Sequence, residues 1–357
     1  MNIGLVGLPN SGKTTVFNAL TRSEIEVTPY ANVESEPNRG MFEVADDRVG
    51  ILSEMYKPKK TTYAVIELID FVGLTRGSAK GGLFQSASMM ALIRNTDAVC
   101  VVLRNFCDDL LGDPDPWSDL EKLESELLIS DLIVAENRLE RIEKAYQRGK
   151  KTSLLEREET ILRNIVEALS DEEPIRALKL GNEAEKMIRG FQFLTLKPMM
   201  AVLNSDEDRF GKNQAVLEKM TERYTVIEFM GKFEMELAQL NDQEEITLFM
   251  KEMDIKESAR ERLSDAAYRL LGYISFFTVG ADEVRAWSIQ AGQSAIEAAG
   301  TIHSDLARGF IRAECMSYED LLRCGSPKKV AETGLLRLEG KNYVVQDGDI
   351  LNIRFNI

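Results

Sequence analysis

Apolar residues follow two rhythms along this chain, and each predicts a different element. Continuous apolar runs at 2–7, 64–69, 98–103, 199–203 and 225–229 read as strands, because consecutive apolar positions need cover on both faces. Between them, 13–21 and 86–95 carry helical spacing. Strands alternating with helices predict an α/β fold, with a mostly parallel sheet covered on both sides.

From 119 to 189 the rhythm changes. Leu128, Leu132, Ala135, Leu139, Ile142 and Tyr146 recur at spacings of four and three, a heptad-like seam. A polar turn at 147–153, containing Gly149, precedes a second stripe at Leu155, Leu162, Ile165 and Leu169. The simplest structure is an inserted antiparallel helical hairpin. Its charged faces suit a packed, solvated helix pair or a partner-binding arm, and the pattern leaves both open. The last stretch, 275–357, returns to strands at 274–279, 343–345 and 350–355. The final two flank Gln346-Asp347-Gly348-Asp349, and Asp-Gly is a turn signal, so a small mixed α/β domain is expected.

Charge refines this picture. The 357 residues carry 44 Lys and Arg against 59 Asp and Glu, a net charge of −15, which argues against indiscriminate coating of nucleic acid or anionic membrane. No run reaches the length of a membrane span, and a motif starting at residue 7 leaves no room for a targeting segment. Cys100, Cys107, Cys315 and Cys324 form no CxxC pair, so the expected setting is a reducing cytoplasm. His303 is the only histidine, which excludes His-cluster zinc chemistry.

Gly7-Leu8-Pro9-Asn10-Ser11-Gly12-Lys13-Thr14 fits GxxxxGK[ST] between a predicted strand and a predicted helix. In such a phosphate loop the glycines let backbone N–H groups, here around Ser11 and Gly12, turn toward phosphate oxygens. Lys13 places a cation at the β- and γ-phosphates, and the Thr14 hydroxyl can ligate Mg²⁺. Asp70-Phe71-Val72-Gly73 closes the apolar run before it. Asp70 is placed to hold the Mg²⁺ shell, and Gly73 to approach a γ-phosphate. Leu74 follows, where Ras-type enzymes carry a glutamine that orients the attacking water, so turnover is expected to be slow. Asn10 is either a ligand for a monovalent cation at the phosphates or a turn residue. Asn204-Ser205-Asp206-Glu207 stands where GTPases carry NKxD. Glu207 at the aspartate position weakens the case for guanine without establishing adenine, and a plain polar turn is the rival reading.

These motifs resemble the YchF, or Obg-like ATPase, family of translation-factor-related P-loop NTPases. The resemblance runs nearly end to end. It takes in Gly7 to Thr15, Glu36 to Gly40, Asp46-Asp47-Arg48, Pro58-Lys59-Lys60, Asp70 to Leu74 and Asn204 to Glu207, the last matching the family's NxxE. Its most specific part is carboxy-terminal: Phe276 to Gly280, Glu283 to Trp287, Ala298 to Asp305, Arg308 to Glu314, Glu339 to Tyr343 and Asp347-Gly348-Asp349. That part resembles the TGS domain, a ubiquitin-like β-grasp module.

The resemblance implies an OBG-type G domain at 1–118 and 190–274, a helical coiled-coil insertion at 119–189 and a TGS domain at 275–357. It implies nucleotide contacts from Asn10, Ser11, Gly12, Lys13, Thr14, Thr15, Asn204 and Glu207. Thr14 and Asp70 would be the metal ligands, and Lys13 and Gly73 the catalytic positions. It further implies ATP, with GTP as the competing nucleotide, Mg²⁺-dependent hydrolysis, K⁺ at Asn10, and association with ribosomes or ribosomal RNA in translation and stress. Departures bear on hydrolysis. Glu34 replaces the threonine expected in the first switch segment, 80–86 lacks the family's glycine pattern, and no histidine stands near Val101. Two function classes therefore remain: a slow ATPase switch, or a non-hydrolysing nucleotide-binding module that docks partners. Arg285, Arg308 and Arg312 near Trp287 and Phe310 are candidate RNA contacts, while His303 is expected to be structural or surface-exposed.

Overall fold

The computed structural model describes residues 1–25, 37–71, 87–108, 111–240, 242–253 and 255–356. The chain divides into two units, Met1–Met41 with Glu67–Ala259 and Phe42–Ile66 with Arg260–Ile357.

The expected runs of the first sheet are strands: β1 (Asn2–Val6), β4 (Val65–Asp70), β5 (Ala98–Asn105), β6 (Met199–Ser205) and β7 (Thr225–Phe229); β2 (Asn38–Glu43), which no apolar run announced, joins them. Their order is β2-β4-β1-β5-β6-β7, and β1 pairs in parallel with both β4 and β5. Every residue of β5 and β6 is buried, which is why these strands show no apolar–polar alternation. Helix α1 (Lys13–Thr21) leaves the C-terminal end of central β1, at the point where strand order reverses. That crevice is where open α/β sheets bind ligands.

The hairpin is α4 (Pro116–Gln147) and α5 (Ser153–Ser170), which follow α2 (Asp47–Tyr56) and α3 (Ala87–Arg94) in chain order. Asp115 caps α4 by accepting from the Ser118 N–H, with Pro116 in the first turn. Leu128, Ala135, Ile142, Leu162, Ile165 and Leu169 form its core, as the seam predicts, and Leu132, Leu139, Tyr146 and Leu155 pack at its edge. Arg138 grips Glu158 across the pair with two bonds of 2.7 and 2.8 Å. Two buried carboxylates fix the root. Glu124 receives Arg176 at 2.8 Å, Arg223 at 2.9 Å and the Tyr224 hydroxyl. Asp131, fully buried, receives Arg94, the Leu194 and Thr195 N–H groups and the Thr195 hydroxyl. The hairpin therefore belongs to the first unit by packing.

The second unit is built on the sheet order β11-β10-β12-β8-β9-β3. Its strands are β3 (Lys60–Thr62), β8 (Tyr273–Val279), β9 (Glu283–Gln290), β10 (Phe310–Ser317), β11 (Arg337–Glu339) and β12 (Asp349–Phe355). β8 pairs antiparallel with β9 and parallel with β12, and β12 pairs antiparallel with β10. The helix Ala295–Ile302 crosses one face, burying Ala295, Ala298 and Ala299 against Phe276, Ile289 and Leu351.

This unit departs from the sequence reading in two ways. The compact unit is wider than the segment 275–357: α2 and β3 pack into it, because β3 pairs in parallel with β9 and Arg48 of α2 bonds Asp347 at 2.7 Å while covering the Phe277 ring. The expected strand at 343–345 is not a strand. Its alternation is real, with Val345 buried and Val344 exposed, but among the described residues it makes one isolated bridge, Ser294 to Val344. Asp347-Gly348 thus does not join two paired strands. The Asp347 carboxylate accepts the Ser275 N–H at 2.9 Å, and Gly348 sits at φ +85°.

Candidate nucleotide-binding site

The strand–loop–helix at residues 2–21 builds a cradle. Asn10 and Gly12 both adopt left-handed backbone, φ 61° and 87°, which asparagine tolerates and glycine prefers. A Cβ on Gly7 would lie 2.5 Å from the Val102 carbonyl oxygen, and one on Gly12 would lie 2.1 Å from Asn204 Nδ2. The two glycines are therefore required by close approach, in addition to any phosphate contact.

Lys13 is buried at the centre, its Nζ donating to the Gly7 and Leu8 carbonyls at 3.0 Å each. Burial lowers its pKa from 10.5 to about 8, with Asp70 opposing the shift. Thr14 donates to Asp70 Oδ2 at 3.0 Å. Asn38 reaches the same oxygen at 3.5 Å. Burial pushes the Asp70 carboxyl up, against Lys13, Thr14 and Asn38, which favour its charged form. Among the described residues, the other carboxylate oxygen, Oδ1, and the Ser11 hydroxyl are buried with no hydrogen-bond partner. Orphaned buried oxygens at such a position mark a place for an ion, water or ligand.

Asn204 braces the loop from within the protein. Its Nδ2 donates to the Ser11 carbonyl at 3.1 Å and its Oδ1 accepts the Gly231 N–H at 3.1 Å. The side chain ties three separate segments together, and both ends of its amide are occupied within the protein. Glu207 lies exposed in the following turn. Its neighbour Asp206 makes the turn's bonds, accepting the Cys107 N–H at 3.0 Å and pairing with Arg209 at 3.1 Å. Thr15 is half-buried, its methyl 3.2 Å from where a Gly231 Cβ would be. Glu34, Gly73, Leu74 and 80–86 lie outside the described residues.

Four residues here escape the sequence reading. Asn38 and Gly231 act only through contacts with partners 32 and 27 positions away. Phe106 has a ring carbon 3.7 Å from the hypothetical Gly12 Cβ, at the edge of the cradle. Arg104 is buried and bonds the carbonyls of Phe106, Leu111, Gly112 and Asp113, clamping the loop that carries Phe106. The one available signal was an arginine directly following the apolar run 98–103. His303 caps the helix Ser304–Arg308, Nδ1 accepting the Asp305 N–H at 3.2 Å, and so has a structural task. Arg285 stacks on Trp287 at 3.9 Å.

Comparison with known proteins agrees with this geometry. A family model described as "50S ribosome-binding GTPase" matches residues 2–142. A second, YchF-GTPase_C, described as "Protein of unknown function (DUF933)", matches residues 273–356. The chain is 40% identical to the Bacillus subtilis ribosome-binding ATPase YchF, over 100% of both chains. It is 37% identical to the protein of that name from Escherichia coli O157:H7, over 99% of each. The solved structure of the Schizosaccharomyces pombe YchF GTPase superposes with a TM-score of 0.86 at 31% identity, covering 99% of this chain and 97% of that one. On full-length identity and fold alike, the chain belongs to the YchF family.

Proposed function

We propose that the protein binds ATP with Mg²⁺, hydrolyses it slowly, and uses the bound state to control association with the ribosome. The observation that carries this is the cluster of buried Lys13 and Asp70 with half-buried Thr14, around a carboxylate oxygen without a partner among the described residues. That donor set suits Mg²⁺: one hydroxyl and one carboxylate, with phosphate and water to fill an octahedron. Bound Mg²⁺ would supply charge neutralisation between the phosphates.

The chain's own residues do the rest. Lys13 exchanges two carbonyl partners for phosphate oxygens. Loop N–H groups surround the phosphates, and Asn204 keeps the loop in shape by holding the Ser11 carbonyl. Arg104 and Asp206 hold the Phe106–Cys107 segment beside the loop. K⁺ at Asn10 and a base contact from Glu207 belong to the same proposal, Glu207 requiring the turn to move toward the base. The order β9-β8-β12-β10-β11 with one crossing helix supports reading the second unit as a TGS-type β-grasp module. Among the described residues no helix is long and apolar enough to cross a membrane, and a cytoplasmic setting is part of the proposal. The names of the relatives, ribosome-binding ATPases, support the ribosome as partner.

Single-turnover assays with Mg²⁺ and K⁺, with and without ribosomes, test this. Phosphate release lost in Lys13→Ala supports the ATPase. Tight ATP binding without release under any condition favours the non-hydrolysing module. Tighter binding of GTP than ATP by calorimetry overturns the nucleotide assignment.

A further inference from the structure

The hairpin ends in a strongly basic tip on a strongly acidic protein. Residues 141–155 hold five basic side chains, Arg141, Lys144, Arg148, Lys150 and Lys151, and one acidic one, Glu143, in a chain of net charge −15. All five basic side chains are exposed. Lys144 pairs with Glu140, and Lys151 pairs with Glu156 while lying over the Tyr146 ring. Arg141, Arg148 and Lys150 have no carboxylate partner among the described residues.

The turn presenting them is built rather than loose. Gly149 adopts φ +75°, its N–H bonds the Tyr146 carbonyl at 2.9 Å, and the Lys150 N–H bonds the Ala145 carbonyl at 3.0 Å. That is the Schellman arrangement, which ends α4 in a fixed geometry. Two residues later Thr152 caps α5 by accepting from the Leu155 N–H. Arg148, Lys150 and Lys151 are thus held between two defined helix ends. Helix α4 has 32 residues, so the tip stands about 48 Å from its start at 1.5 Å per residue. At physiological ionic strength the Debye length is about 8 Å, so most of the chain's acidic surface is screened from the tip. A narrow basic point on a long arm fits a recess walled by phosphates. A flat membrane would meet only the few side chains of the turn, whereas a recess can close around them.

We infer that the hairpin tip is a docking point for the phosphate backbone of folded ribosomal RNA, through Arg148, Lys150 and Lys151 with Arg141 behind them. This rests on the ribosome reading above and adds the surface and the chemistry it recognises. A dock of this kind reads shape and charge without base sequence, and its affinity falls steeply with salt.

The test compares the intact protein with Arg148→Glu/Lys150→Glu, in which the backbone bonds of the turn are kept. Binding to purified ribosomes, naked ribosomal RNA and phosphatidylserine vesicles is measured across a salt series. The expected result is an RNA and ribosome affinity about tenfold or more lower. The slope of log affinity against log salt becomes shallower by about two, one per lost phosphate contact. ATP affinity and thermal melting stay unchanged. Unaltered ribosome binding and slope in the variant overturn the inference. So does ribosome binding that falls while naked RNA binding and salt slope are unchanged, which assigns the tip to a ribosomal protein. Dependence on the tip for vesicles alone also overturns it. If the unaltered protein fails to bind ribosomes at all, the ribosome reading falls, and the naked RNA comparison still decides the tip.

Discussion

The buried lysine of the cradle makes nucleotide binding pH-dependent in a direction that follows from its burial. In the nucleotide-free protein the Lys13 pKa is lowered from 10.5 to about 8. Below pH 8 the ammonium is charged in the folded and unfolded states alike, and its burial cost, about 3 kcal/mol, is felt in full. Between about 8 and 10.5 the folded protein has released a proton that the unfolded chain keeps, so stability rises with pH across that window. Nucleotide reverses the balance, because phosphates beside Nζ restore the charged form. ATP binding above pH 8 must therefore take up a proton, and affinity falls by up to tenfold per pH unit. From about pH 7 to about pH 9.5 the dissociation constant should rise roughly thirtyfold, the value that follows from a pKa of 8 free and an ordinary one bound. Titration calorimetry in buffers of different ionisation enthalpy gives the affinity and the proton count together. Lys13→Arg, charged throughout, should bind more weakly with a flat profile. An affinity independent of pH, with no proton uptake at pH 9.5, would refute the claim that the cradle depresses this lysine.

Other expectations follow from the same geometry. Gly12→Ala places a methyl 2.1 Å from Asn204 Nδ2 at φ +87° and should abolish ATP binding, whereas Gly149→Ala, with nothing within 4 Å, should cost only about 1 kcal/mol and leave ATP binding intact. Denaturant melts and nucleotide titrations separate the two. Asn204→Ala leaves the Ser11 carbonyl and Gly231 N–H without their partner and should destabilise the first unit by about 1–3 kcal/mol, with weaker binding of ATP and GTP alike. A change confined to one nucleotide would instead assign Asn204 to the base. Asp131→Ala removes the carboxylate partner of Arg94 and leaves two buried N–H groups unsatisfied at the hairpin root, and should cost about 3–5 kcal/mol in urea unfolding.

The sheet of the first unit was legible because burial on both faces leaves a local signature. Val99 to Leu103 and Met199 to Leu203 are apolar at consecutive positions, and their shortness between polar or turn-forming flanks marks them as strands rather than helices. The hairpin was legible for the opposite reason, since Leu128, Ala135 and Ile142 repeat at the interval that one helix face requires. What escaped was pairing between distant segments. Strand β3 is three residues of Lys-Thr-Thr, with no apolar pattern at all, and exists because β9 offers it an edge more than two hundred residues on. No local rhythm can report that 42–66 packs with the carboxy-terminal sheet.

The site divides along the same line. Lys13 and Thr14 were readable because a short loop fixes their spacing to the glycines, and Asp70 because it ends a strand next to β1 in the sheet. Asn204 was located from its motif, and its two amide bonds to Ser11 and Gly231 add a brace for the loop that the motif does not report. These two bonds use one of the amide's two N–H donors and one of its two lone pairs, and they fix the direction in which the remainder points. Beside the cradle, the Phe106–Cys107 segment forms a wall held by the Arg104 clamp and by Asp206 on the adjoining N–H. A clamp made of four carbonyls and a guanidinium contains no group that titrates near neutrality, so this wall should keep its shape across the pH range in which Lys13 changes charge. Base preference should consequently stay constant with pH even as affinity falls.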